Sequence, residues 1–191
     1  VDIGGELAAQ WLPLIAAGQA KVVVGLEQNM LVEDAHVADL LLLQQGDSIV
    51  AATPDQVSLR YNESVDPSRK LYAVDVSASG TTIASGEQAQ ALIQRSLDRG
   101  ALGAAAQALG LAQRMIDLSV QYTSERHQFG QAIGAFQAVK HHMANVAVCL
   151  EYAKAPVHRA AYCLAHGEAI GSHAVSQAKL ASCEAANLAA K

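Results

Sequence analysis

The chain has 191 residues, a formal net charge of −5, and a composition that is 51% hydrophobic but only 4% aromatic. That length supports a buried core in one or two domains, and the acidic balance leaves no basic footprint for nucleic acid or an anionic membrane surface. With few aromatics, alanine, leucine and valine must fill the interior, which favours closely approaching helices over an aromatic-rich sandwich.

Cys149, Cys163 and Cys183 stand in alanine-rich helical sequence without CxxC spacing, so neither a disulfide framework nor a zinc site is indicated. A reducing cytoplasm is the expected setting. The leucine run Leu40–Leu43 falls far short of the roughly 20 apolar residues of a membrane span, and the N-terminus lacks a signal-peptide pattern, so a soluble chain is expected. The sequence opens at Val1 without a methionine, as a fragment or a processed chain does.

After an opening segment around Trp11, the runs "KVVVGLE", "ADLLLLQQ", "DSIVAA", "QVSLRY" and "KLYAVDV" have strand length, and several are β-branched. Gly46-Asp47, Thr53-Pro54-Asp55 and Asp66-Pro67-Ser68 punctuate them as turns. Residues 1–85 therefore read as a short helical segment followed by a small antiparallel β region.

From Ser85 the pattern turns helical, with Ser85-Gly86-Glu87-Gln88 as a candidate capping box. Leu92, Leu102, Leu109, Ala112, Ile116 and Val120 recur at spacings of one apolar face, predicting a helix to about Ser124. Further helices are expected from about Gln137 to Ala165 and from about Ala169 to Lys191, broken at "HGEAIG". The expected fold class is α+β, mainly α: a small antiparallel β region, then an antiparallel helical bundle over 86–191.

The break between the first two bundle helices, "SERHQFGQAIGAFQ", carries the chemistry. Arg126 offers a planar, permanently charged fork suited to a phosphate or pyrophosphate, and Phe129 a flat apolar face for a ring. Gly130 and Gly134 permit backbone turns, and Gln137 opens the next helix with an amide that donates and accepts. Read plainly, the same residues are also a surface arginine, a loop aromatic tucked onto the bundle and a helix-ending glycine.

The segment "LGLAQRMIDLSVQYTSERHQFGQAIGAFQAVKHHMANVAV", Leu109 to Val148, resembles the C-terminal helical domain of the acyl-CoA dehydrogenases. The resemblance extends with less specificity to Lys191, and weakly through "WLPLIAAGQA" and "EDAHVADLLLL". It implies FAD as cofactor, with Arg126 reaching the flavin pyrophosphate of a neighbouring subunit, helped by Gln128 and Phe129, and Gln137 near the same cofactor. It also implies an oligomer, often a dimer of dimers, and an acyl-CoA substrate losing an α-proton while the flavin takes the β-hydride. Electrons would pass to an electron-transferring flavoprotein.

Two departures stand out against that pattern. The base glutamate of most members follows the third bundle helix near a QxxGGxG segment, and the sequence ends at "EAANLAAK" before it. In the isovaleryl and long-chain members the base lies on the first bundle helix, at a position matching Gly100 here. Asp98 is two residues away, a rotation of about 200°, and reads as a solvent-facing acid. No catalytic residue is therefore assigned. The stretch "VVVGLEQNMLVEDAHVADLLLLQQGD" is also too short for the insert that covers the flavin ring. The chain reads as part of a dehydrogenase, either an incomplete stretch or the reduced subunit of a heteromeric enzyme. The alternative is a non-catalytic scaffold that stabilises a complete partner without binding cofactor.

Other chemistries are weaker. His141 and His142 diverge by about 100° on a helix and cannot clasp one ion together, and His158, His166 and His173 form no HExxH pattern. No metal site is assigned. Cys149 and Cys163 are expected on a similar helical face as small buried packing. There is no GxSxG elbow, and the "GLEQ" and "GQAIG" glycines do not form a GxxxxGK phosphate loop.

Overall fold

The computed structural model describes residues 5–27, 31–77 and 80–191. Gln28, in "GLEQ" and in the contracted stretch noted above, lies outside the described residues. The chain divides into two compact units, Val1–Arg95 and Ser96–Lys191. The division falls within a long helix, α2 below.

The first unit begins with α1 (Glu6–Ala16), an 11-residue helix containing Pro13 with no fully buried residue. Among the described residues seven strands follow: β1 (Val22–Gly25), β2 (Val32–Glu33), β3 (Leu40–Gln45), β4 (Ser48–Ala52), β5 (Val57–Asn62), β6 (Leu71–Val76) and β7 (Thr81–Ser85). Each of the five expected runs contains one of them. β2 is only two residues long and β7 begins with two threonines, so neither carries an apolar run that sequence reading would pick out.

One sheet has the order β1-β3-β4-β7 and the other β2-β6-β5. Pairing is antiparallel except between β1 and β3, which run parallel with Val22 opposite Leu40. β3 and β4 are nearly unbroken apolar runs because they are central, and Leu41 is fully buried. Leu41 and Leu43 pack with Val57, Tyr72, Val74 and Val76, so alternate residues of β6, with Val57 at the start of β5, supply one face of this core. Gly46, at φ 58, lies in the tight turn between β3 and β4.

Helix α2 (Gly86–Glu125) starts directly from β7: Ser85 pairs with Ser48, and Gly86, at φ 57, donates its N–H to the Asp47 carbonyl. Ser85, read as the first residue of a candidate capping box, is the last residue of β7. A short hairpin, β8 (His127–Gln128) and β9 (Gln131–Ala132), and a 3-10 turn at Ile133–Ala135 lead to α3 (Gln137–His166). Helix α3 ends at Gly167, φ 67, where the amides of Gly167 and Glu168 both donate to the Cys163 carbonyl. Helix α4 (Gly171–Ala189) follows.

The second unit is an antiparallel bundle, and its core shows why. Ala105, early in the α2 seam, packs with Val157, Ala160 and Cys163 late in α3 and with Ala174 and Ala178 early in α4. Ala112 and Ile116 pack with Val146 and Leu150, where Leu188 and Ala189 also close. Ala105, Ala112, Ala160 and Ala178 are all 0% exposed, so small side chains set the approach of the three helices.

Val120, expected on the same face, is 46% exposed. Each i+4 step advances the helical face by about 40°, and two steps from Ala112 rotate it off the seam. Cys149 is exposed while Cys163 is buried, so only the second provides the core packing expected of both. Among the described residues no helix is long and apolar enough to cross a membrane.

Candidate functional site

Arg126, Gln128 and Phe129 fall in the connection between α2 and α3, Gln137 is the first residue of α3, and all four are exposed. Arg126 follows the last turn of α2, where its amide donates to the Tyr122 carbonyl at 2.9 Å. Its own carbonyl accepts from the Ile133 amide at 2.8 Å, closing the base of the hairpin. Among the described residues no carboxylate forms an ion pair with its guanidinium.

His127 pairs with Ala132 and Gln128 with Gln131, which leaves Phe129-Gly130 as a two-residue loop. Phe129 has φ 52 and Gly130 φ 80, both left-handed, as a type I′ hairpin turn requires. Glycine takes that conformation freely. For a bulky aromatic it costs on the order of 1–3 kcal/mol, and asparagine, aspartate or glycine would normally stand there. Phe129 nevertheless occupies it with 92% of its surface exposed, against the expectation of an aromatic tucked onto the bundle. Its remaining ring contact is edge-on to Phe136, with centroids 6.3 Å apart.

Gly134 has a different role from the one its residue type suggests. Its φ is unremarkable, but a Cβ there would stand 3.1 Å from the Thr123 carbonyl oxygen and 3.3 Å from Thr123 Oγ1. The 3-10 turn rests on the final turn of α2 through that contact. Thr123 Oγ1 donates to the Ser119 carbonyl at 2.8 Å and lies 3.7 Å from Met143 Sδ on α3. Thr123 and Met143 carry no sequence signal for this task, since the junction becomes visible only in three dimensions.

Beside the hairpin a largely apolar groove of about 400 Å³ runs between α2 and α3, lined by Ile116, Thr123, Val139, His142 and Met143 among others. None of Arg126, Gln128, Phe129 or Gln137 lines it, so these four face solvent instead of an enclosed cavity.

Asp98, read as solvent-facing, is half-buried and accepts a 2.6 Å hydrogen bond from Ser172 Oγ at the start of α4. It ties α2 to α4 and favours the positive end of that helix dipole. Among the described residues no group of three or more His, Cys, Asp or Glu side chains could hold a metal ion. His141 and His142 are both exposed.

The resolved pKa displacements lie away from the hairpin. The bidentate hydrogen bonds from Arg69 hold the Glu33 carboxyl below its usual value, and the same pair raises Arg69. The Ser68 hydroxyl and then its amide lower Asp66. These groups are solvent-exposed, and such pairs contribute little to stability.

Comparison with known proteins agrees with this architecture. The family model described as "Acyl-CoA dehydrogenase, C-terminal domain" matches residues 90–191. Acyl-CoA dehydrogenase IpdE2 of Mycolicibacterium smegmatis is 35% identical over 125 residues, covering 65% of this chain and 37% of the relative. The caffeyl-CoA reductase-Etf complex subunit CarC of Acetobacterium woodii is 45% identical over 67 residues, covering 35% of this chain and 18% of the relative. The fold matches an acyl-CoA dehydrogenase from Geobacillus kaustophilus with a TM-score of 0.80 or above, 0.83, at 19% identity, over 98% of this chain and 61% of that one. The chain thus spans less than half the length of these two curated relatives. With the family model matching more than half of its residues and the fold agreeing throughout, the chain belongs to the acyl-CoA dehydrogenase family.

Proposed function

We propose that this chain is part of an FAD-dependent acyl-CoA dehydrogenase, to which it contributes a flavin-pyrophosphate contact and an oligomer interface. One observation carries the reading: the exposed type I′ hairpin that holds Phe129 at positive φ directly after Arg126. Among the described residues the edge-on contact with Phe136 does not account for an aromatic kept there at a conformational cost. A ligand ring or a partner surface covering it in the assembly does.

The residues present fit the cofactor. Arg126 supplies an unpaired fork for the pyrophosphate, Phe129 an apolar face, and Gln128 and Gln137 amides able to donate and accept. Bound flavin supplies the hydride acceptor for α,β-dehydrogenation of an acyl-CoA thioester. These residues serve the cofactor, and no proton transfer is assigned to α2, because Asp98 accepts from Ser172 and the position matching the family base on that helix is Gly100. In this reading 1–85 is a reduced middle β domain and 86–191 the C-terminal bundle, working in the cytoplasm. The openness of the four residues favours a site shared with another subunit, homologous or identical, over one enclosed by this chain. An electron-transferring flavoprotein is the proposed electron acceptor, in keeping with the Etf complex named for the Acetobacterium relative.

The test is visible flavin absorbance of the purified chain, alone and after co-expression with a dehydrogenase-type partner. Flavin that appears with the complex supports the shared site. A stable complex that carries no flavin supports the scaffold alternative and rejects the cofactor role.

A further inference from the structure

The hairpin must be held as well as shaped. We infer that Gly134 is the positioning residue for Arg126: its missing Cβ lets the 3-10 turn seat on Thr123, and that seat fixes the hydrogen bond that orients the arginine backbone. The inference rests on the proposed cofactor role of Arg126.

The geometry is a short chain of contacts. At Gly134 the nearest atoms to an added Cβ are the carbonyl oxygen and carbon of Thr123, at 3.1 and 3.3 Å. Both belong to the backbone of α2, which cannot swing aside as the end of a flexible side chain would. The next residue back, Ile133, donates its amide to the Arg126 carbonyl at 2.8 Å. Thr123 is itself fixed, since its hydroxyl donates to the Ser119 carbonyl and lies against Met143 of α3. A larger residue at 134 therefore makes the 3-10 turn give by at least a few tenths of an ångström and carries Ile133 with it, which strains the bond that closes the hairpin. The candidate ligand groups tolerate little of this, because binding constellations need to be held within about 0.5 Å.

By contrast, a Cβ at Gly100, Gly103 or Gly110 on α2 would meet nothing within 4 Å. Close approach to backbone is a feature of Gly134 and is not shared by these helical glycines.

The experiment compares Gly134→Val, the milder Gly134→Ala, Gly110→Ala and Arg126→Ala in the co-expressed assembly. It reads the flavin dissociation constant, amide exchange at Ile133 and the unfolding midpoint. Gly134→Val is expected to speed Ile133 exchange and weaken flavin binding about tenfold, with Gly134→Ala between it and wild type and Gly110→Ala unchanged. If Gly134→Val does not fold, the graded response of Gly134→Ala decides. Flavin affinity within twofold of wild type in the Gly134 variants, while Arg126→Ala loses flavin, overturns the inference. If Arg126→Ala also keeps its flavin, the cofactor reading fails. Ile133 exchange then judges the seat alone: acceleration in the Gly134 variants supports it and unchanged exchange overturns it.

Discussion

The bundle seam and the Arg126–Ala132 hairpin are parts of one folded unit, yet they answer to different demands. Along the seam, Ala105, Ala112, Ala160 and Ala178 are completely buried, and the apolar side chains there are explained by what they touch within the chain. On the hairpin, Phe129 is 92% exposed in a left-handed conformation, and among the described residues its edge-on contact with Phe136 does not explain the choice of residue. Folding accounts for the first region. It leaves the second unexplained, and that difference is what makes the hairpin the candidate site.

Substitutions can break or sharpen this contrast. The largest expected effect is on the seam. Leu150, 2% exposed between Ala112, Ile116 and Val146, should cost about 2–5 kcal/mol of stability when replaced by alanine, measured by denaturant unfolding of the chain. A loss below about 1 kcal/mol would mean that the seam is looser than its burial implies.

Phe129→Asn should reverse the sign. Asparagine tolerates the left-handed turn, so the free chain should gain about 1 kcal/mol while the assembly binds flavin more weakly. A variant that is both less stable and unimpaired in flavin binding would place Phe129 among the ordinary packing residues.

The smallest effect is expected inside the seam of α4. Ser182 is fully buried, and its hydroxyl has no hydrogen-bond partner among the described residues. Ser182→Ala should therefore stabilise the chain by roughly 0.5–1 kcal/mol, visible as a small rise in unfolding midpoint. A clear loss of stability would show that the hydroxyl is satisfied in solution.

Much of the fold was legible because periodicity reports burial. The runs around Leu41, Val50, Leu59 and Val74 became strands, and the alanine-rich stretches became helices close to their expected limits. What periodicity could not report was pairing. The parallel β1–β3 ladder and the short strands β2 and β7 depend on partners distant in sequence.

The candidate site was legible to a lesser degree. Arg126, Gln128, Phe129 and Gln137 could be picked out as residue types, but the positive φ of Phe129 and its exposure could not. Gly134 looked like a turn former and does lie in the 3-10 turn, but its close packing against Thr123 could not be read from the sequence. Asp98 looked like a solvent-facing acid and is tied to Ser172, 74 residues away in sequence, a distance over which local pattern carries no information.

The central claim is that Arg126 meets the cofactor, and the direct test is the flavin dissociation constant of the assembly with Arg126→Ala, read beside its unfolding midpoint. Loss of a charge-assisted, bidentate contact predicts binding weaker by roughly 10- to 100-fold with the midpoint of the flavin-free chain unchanged. Flavin affinity equal to that of the unsubstituted assembly would contradict the account.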